Sequence, residues 1–304
     1  MYKNFTEIER CVLGLGLKKK IVLACAHDEG TLSAIVNARS KGVIEAILIG
    51  RADKITSLLI GMGEDSSDYE ILENTEEQPC AAQAVALVRG GRADIPMKGL
   101  IHTAAFMRPI LNKENGLVPP GALLSQSNVV EYRRQGRLII ISDGAVNIAP
   151  DLNNKKKIIG NTVLLAKKLG CETPRVACIA PVEVENPKIT STVDAAELRW
   201  ANQNGEIPDC IVDGPFALDI ALSSEAAMNK GVRSPVAGVA EVLLMPDLNT
   251  GNTLNKALTY FSDLPSAGTL NGTSSPVIMT SRTDSADNKY NSILLAILLQ
   301  SLWR

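Results

Sequence analysis

The sequence predicts an α/β protein whose mostly parallel sheets are flanked by helices. Three observations predict it. Short apolar runs rich in Val and Ile alternate with longer helix-like segments along the whole chain. The runs are continuous instead of alternating with polar residues, which suits strands buried on both faces. Hydrophobic residues make up 45% of the 304 residues but aromatics only 4%, so the core has to be built from Ala, Val, Ile and Leu. A chain of this length is also able to divide into two domains.

In chain order, the predicted strands cover residues 20–26, 45–49, 138–142, 176–180, 210–212, 242–245 and 277–280. Predicted helices between them include residues 32–40, 78–89, 158–169 and 217–228. Asp28-Glu29-Gly30-Thr31 supplies a cap and an acidic first turn to the first of these helices, and Asp284-Ser285 does the same for the last helix. The segment 112–127 contains Gly116, Pro119, Pro120 and Gly121 and reads as a crossing between domains; the Gly/Pro/Ser-rich segment 264–276 reads as the return. These crossings predict a discontinuous first α/β domain of residues 1–119 plus 270–304, and a second of residues 120–269.

Charge and composition remove several function classes. With 31 basic and 33 acidic residues, the net charge of -2 gives no general grip on nucleic acid, so an anionic ligand needs local cations. The start, Met1-Tyr2-Lys3-Asn4-Phe5, has no signal-type apolar segment, and the apolar run 293–299 is too short to span a bilayer. The expectation is a cytoplasmic protein without a membrane or nucleic-acid partner. The six cysteines form no Cys-x-x-Cys pair and read as buried, reduced thiols. The lysine clusters at 18–20 and 155–157 read as solvated faces. Two histidines exclude a multi-histidine metal site. Gly14-Leu15-Gly16 precedes a strand and lacks the third glycine of a dinucleotide loop.

Three segments carry the right residue types for chemistry. In the first, an apolar run ends at Lys98-Gly99 and is followed by His102, Thr103 and Arg108 at a helix start, a combination suited to anions. In the second, the run 277–280 opens into Ser281-Arg282-Thr283-Asp284-Ser285-Ala286-Asp287-Asn288, at the kind of strand end where α/β sheets place ligands. The third is Met245-Pro246-Asp247-Leu248-Asn249-Thr250-Gly251-Asn252, where Gly251 permits close backbone approach and Asn252 is able to cap. Ser142-Asp143-Gly144-Ala145-Val146-Asn147 and Val212-Asp213-Gly214-Pro215 also follow strands and read as turns.

Together these segments resemble the phosphate acetyl/butyryltransferase family, most nearly its phosphotransbutyrylases and branched-chain relatives. The resemblance runs through residues 97–103, 142–152, 212–215, 234–238, 246–252 and 280–285, spread over about two thirds of the chain and in the family's order. It implies two α/β domains of isocitrate/isopropylmalate dehydrogenase type, an active cleft between them and a homodimer or higher homo-oligomer. It implies reversible transfer of a short acyl group, butyryl or branched-chain in preference to acetyl, from acyl-CoA to inorganic phosphate. Coenzyme A is then a substrate, and no cofactor or metal is required.

Carried over by residue, the resemblance makes Ser281 and Arg282 catalytic and Arg108 a phosphate- or substrate-binding arginine. Lys98, His102 and Thr103, with Arg282, would complete the phosphate or substrate site, and Gly251, Asn252, Asp213 and Asn147 would bind CoA. The family's acetyltransferases place an aspartate base a few residues after Ser-Arg. Here ungapped counting reaches Asn288, which leaves Asp287 first and Asp284 second as base. A carboxylate would draw the proton from a thiol of pKa about 8.5. The Ser281 hydroxyl would hold the oxyanion, and planar guanidinium groups suit the phosphate. Two other readings stay open: a non-catalytic CoA- or phosphate-binding regulator, with Asn288 marking lost activity, and a metal- and NAD-dependent dehydrogenase of the related fold.

Overall fold

The structure is a computed structural model, and it describes residues 1–301. Contacts divide the chain into two compact units. One, here the outer unit, is formed by Phe5–Ala122 together with the segment from Pro265 onward. The other, the central unit, is Leu123–Leu264 joined by Met1–Asn4, where Tyr2 N donates to Leu169 O at 2.9 Å.

The outer unit opens with α1 (Phe5–Gly14), β1 (Lys19–Ala24), α2 (Glu29–Ser40), β2 (Ile44–Gly50), α3 (Ala52–Gly61), β3 (Glu70–Glu73), α4 (Glu77–Arg89), β4 (Ile95–Lys98) and α5 (Thr103–Ile110). The chain then builds the central unit from β5 (Ser125–Tyr132), β6 (Arg137–Ser142), α6 (Leu152–Lys168), β7 (Arg175–Ile179), α7 (Thr190–Gln203), β8 (Ile211–Phe216), α8 (Leu218–Leu222), α9 (Ser224–Asn229), β9 (Val242–Leu244) and α10 (Leu248–Phe261). It returns to the outer unit through β10 (Ser266–Asn271), β11 (Val277–Ile278) and α11 (Ala286–Ser301).

In the outer unit the strands run β3-β2-β1-β4-β11-β10; all neighbours are parallel except β10 and β11. The centre of β1, Ile21 to Ala24, is wholly buried, as its continuous apolar run requires. Helix α11 is buried from Tyr290 to Leu299 except at Asn291 and packs on α2, α1 and β10. That burial accounts for a sequence with almost no polar face. In the central unit the order is β5-β6-β9-β7-β8, with β6, β9, β7 and β8 parallel and β5 antiparallel to β6. Its core gathers Ile139, Ile141, Ile179, Phe216, Ile220 and Leu243. Each such side chain contributes roughly 1.5–3 kcal/mol when fully buried.

Several local expectations need correction. Helix α1 precedes the helix that Asp28 caps, so the latter is second. The segment 217–228 is two helices: Ser223 is extended at φ -133, ψ 113, and its hydroxyl caps α9 through Ala226 N. Val212-Asp213-Gly214-Pro215 is strand, because β8 continues to Phe216. The small residues Ser266-Ala267-Gly268-Thr269 conceal β10 inside a segment expected to be loop. Lys155 is not solvated: it is 5% exposed and bonds Asp194 at 2.5 Å. Among the described residues no helix is long and apolar enough to cross a membrane. All six cysteines are free; Cys25, Cys80 and Cys178 are buried and the others half-buried.

Candidate active site

In the outer unit, three parallel strands deliver polar residues at one edge. Strand β1 ends into Cys25–Asp28, β4 ends at Lys98, and β11 leads into Ser281–Asp284. Gly99 lets the β4 end approach β1: a Cβ there would lie 2.5 Å from Cys25 O and 2.6 Å from Ala24 O. Leu100 N then donates to Cys25 O at 3.0 Å, fixing the chain as it leaves Lys98.

Lys98 is 3% exposed. Among the described residues its ammonium reaches a single acceptor, Gly99 O, at the long distance of 3.5 Å. An ammonium carries three donors, and burying one so weakly satisfied is costly. Burial, followed by the neighbouring Arg282, pushes its pKa down to about 8, with Lys289 adding to the fall and Asp28 and Asp284 opposing it. Three cations therefore face two carboxylates here, which makes the edge attractive to an anion.

Asp28 is the hub of this edge. Its Oδ1 caps α2, accepting from Thr31 N at 2.9 Å and Thr31 Oγ1 at 2.8 Å. The same oxygen lies 3.6 Å from the ammonium of Lys289, a residue 3% exposed in the first turns of α11. Neither Asp28 nor Lys289 belongs to the sequence-predicted site. A signal existed for each: Asp28 lies between a buried strand and the helix it caps, and Lys289 is a lone cation entering an apolar helix.

Ser281 is tied into its own turn. Its N donates to Asp284 Oδ2 at 2.7 Å, and its hydroxyl is 3.0 Å from Thr283 Oγ1. Arg282 is exposed, and its charge acts on both Lys98 and Glu77. Asp287 is exposed in the first turn of α11, whereas the Asn288 side-chain oxygen accepts Ser266 N at 3.0 Å. His102 precedes α5 and pairs through Nδ1 with Glu77 at 2.8 Å, while Thr103 and Arg108 are exposed on that helix. Arg108 is not among the charges acting most strongly on Lys98. The structure thus brings Lys98, Arg282, Ser281 and Asp284 to one edge with Asp28 and Lys289.

In the central unit, Asn147, Gly251 and Asn252 meet around Asp143. The buried Asp143 carboxylate accepts from Gln126 N, Ala145 N, Val146 N, Asn147 N and Asn147 Nδ2, at 2.6 to 3.2 Å. Gly251 packs against this loop, where a Cβ would fall 2.2 Å from Asp143 O, and Asn252 Nδ2 donates to Gly144 O at 3.2 Å. The α10 cap is Asp247, through Thr250 N at 2.8 Å, and Asn252 lies within the helix. Asp213 stands apart, accepting from Ser234 Oγ at 2.5 Å with Arg199 at 3.7 Å.

Beside this loop, the carboxyl ends of β6, β7, β8 and β9 enclose a cavity of about 940 Å³. Pro150, Ile179, Pro181, Leu218 and Pro246 give it apolar walls, and Lys155 with Asp194 places an ion pair in it. Among the described residues no three of His, Cys, Asp and Glu converge as a metal site.

The model of the family described as phosphate acetyl/butaryl transferase matches residues 78–297. Phosphate butyryltransferase of Clostridium acetobutylicum is 46% identical over 299 residues, covering 98% of this chain and 99% of its own. Phosphate acetyltransferase of Thermotoga maritima is 39% identical over 92% of this chain and 95% of its own. Among solved structures, a branched-chain phosphotransacylase from Enterococcus faecalis V583 superposes with a TM-score of 0.82 at 30% identity, over 93% of this chain and 99% of that one. The α/β fold and these relatives make the chain an acyltransferase. The chain belongs to the phosphate acetyl/butaryl transferase family.

Proposed function

We infer that the chain transfers a short acyl group reversibly between coenzyme A and inorganic phosphate, with butyryl or branched-chain acyl preferred and acetyl accepted. The observation that carries this reading is Lys98, an almost wholly buried ammonium beside Arg282 and Lys289, poorly satisfied by the protein itself. Phosphate is the anion such an edge would hold, with Arg282 offering a planar fork and Lys98 a point charge. Arg108, His102 and Thr103 would extend the site toward the rest of the acyl phosphate. Ser281 would donate to the oxyanion of the tetrahedral adduct, and Asp287, with Asp284 second, is the carboxylate candidate for the thiol.

The central cavity supports a place for coenzyme A. Its walls come from segments that resemble the family in sequence, Ala149 to Leu152 and Pro246 to Thr250, and its size suits the acyl-pantetheine arm. In this reading Asn147, Gly251 and Asn252 hold the wall loop, and Asp213 supports the neighbouring strand end. Coenzyme A is a substrate, no other cofactor takes part, and the protein works as a homodimer or higher homo-oligomer in the cytoplasm. Thiol release from an acyl-CoA series, acetyl to isovaleryl, with phosphate and without added metal or NAD, tests the activity. Absence of release from every member would remove it; CoA binding without turnover would point to a regulator.

A further inference from the structure

We propose that the Lys98 side chain carries the proton of the reaction, taking it from the attacking phosphate and delivering it to the departing sulfur. The proposal rests on the acyltransferase reading above and gives Lys98 the proton-transfer task that the sequence resemblance assigns to Asp287 or Asp284.

The carboxylates nearby are poorly placed for this task. Asp284 Oδ2 is committed to Ser281 N. Asp28 Oδ1 is occupied by the Thr31 N and Thr31 Oγ1 hydrogen bonds that cap α2, with the Lys289 ammonium beside it. Asp287 is exposed to water, and position 288 is an amide bound to Ser266 N. Lys98 alone combines burial, a terminal position on a strand and an ammonium with one long hydrogen bond. Burial and Arg282 bring its pKa to about 8, so the neutral amine is accessible close to neutral pH.

The charged and titratable groups around it come from each adjoining element. Arg282 and Asp284 lie on the turn before α11, Lys289 on α11 and Asp28 at the start of α2. Cys25 follows β1, and its thiol is pushed up by contact with Cys80 and then by burial. Glu77 of α4 acts on Cys25 and is itself held by His102.

The step balances without an outside acid or base. An oxygen of hydrogen phosphate bonds to the acyl carbon while its O–H proton passes to the neutral Lys98 amine. The tetrahedral adduct then collapses: the C–S bond breaks, the thiolate leaves with the bonding pair, and the Lys98 ammonium returns the proton to sulfur. Acyl phosphate and the CoA thiol result, and Lys98 ends neutral, as it began. The reverse reaction uses the same amine.

The test compares Lys98→Arg, which keeps a cation unable to lose its proton, with Lys98→Ala. Both are expected to lose about 10²–10⁴-fold in kcat, a range usual for a proton-transfer group. Lys98→Arg should keep KM for phosphate near the wild-type value. Small primary amines should restore Lys98→Ala by about tenfold or more, and more basic amines should restore it further. A Lys98→Arg variant within about threefold of wild-type kcat would overturn the proposal, as would a Lys98→Ala loss confined to KM.

The unaltered protein offers an independent check should a variant fail to fold. Its kcat at saturating phosphate should rise with pH through an ionisation that moves to lower pH on warming, as an ammonium does. A limb indifferent to temperature, as for a carboxylate, would sink the proposal. Each of these failures leaves the acyltransferase reading standing, because the wild-type protein still releases thiol. Failure of the wild-type protein to release thiol from any acyl-CoA would remove that reading, and the proposal with it.

Discussion

The ammonium of Lys289 lies 3.6 Å from the Asp28 carboxylate that caps α2, joining the strand-β1 end to the C-terminal helix inside the outer unit. Lys289 is 3% exposed, and the Asp28 carboxylate is the counter-charge that its ammonium faces. Breaking one side of a buried pair costs about 3–5 kcal/mol, because the other charge stays buried and unpaired. Asp28→Asn keeps an oxygen for the cap but removes the charge. It should lower the urea midpoint strongly, and adding Lys289→Met should recover part of the loss. Additive losses in the double variant would count against the coupling.

Lys98 makes the opposite prediction. Its folded pKa of about 8 lies below that of an unfolded lysine, so the unfolded chain binds more protons between the two values. Stability therefore rises as pH increases from about 8 toward about 10.4, and below pH 8 the full cost of the buried charge is present. Lys98→Met should stabilise the protein at pH 7, by on the order of 3 kcal/mol, while turnover falls. The stabilisation should shrink at pH 10. Urea denaturation at the two pH values checks both the sign and the window.

Arg282 should matter to rate more than to stability, because it is exposed. Arg282→Ala is expected to reduce kcat/KM by about 10²–10³-fold, the usual effect of removing a donor to developing charge. Arg282→Lys should recover only part, since a point charge replaces a bidentate fork. Thiol release at saturating phosphate measures this, and wild-type rates in either variant would remove Arg282 from the site.

Gly251 should be intolerant of any side chain. A Cβ would meet Asp143 O at 2.2 Å, and that contact is backbone, which cannot rotate away. Gly251→Ala is expected to cost about 1–3 kcal/mol and to loosen the loop gathered by Asp143. Amide hydrogen exchange at Ala145, Val146 and Asn147 should quicken with the loss. Unchanged exchange would mean that the loop does not depend on the close approach.

Asp143 itself gathers four backbone amides and the Asn147 side chain. Hydrogen bonds to a charged group contribute about 1.5–3 kcal/mol each, although such networks are not additive. Asp143→Ala should therefore destabilise the central unit by several kcal/mol, and Asp143→Asn by less. Equal losses in the two variants would show that charge, not the number of acceptors, sets the effect.

Much of this was legible in the sequence because it is local. Continuous Val/Ile runs announced β1, β2, β6, β7 and β9, since a strand buried on both faces needs no polar alternation. Asp28 was legible as a cap, because capping acts over three residues. The segments 246–252 and 280–285 carried the family resemblance because their turn residues sit at fixed offsets from a strand end.

The tertiary structure alone decided which of these local signals meet. Strand β10 escaped detection because Ser, Ala, Gly and Thr lack the bulk that marks a strand, and neighbouring strands impose its pairing. Lys155 read as solvent-facing among three lysines, yet the fold buries it on Asp194, 39 residues away. Asp28, Lys98 and Lys289 are separated by 70 and 191 residues, and nothing local marks them as one electrostatic group. Propensity and capping are written within a few residues, so the chain alone set elements such as β1, β6 and the Asp28-capped start of α2. Burial, shifted acidity and the pairing of charges depend on what the folded chain brings within a few ångströms, so only the fold determined them.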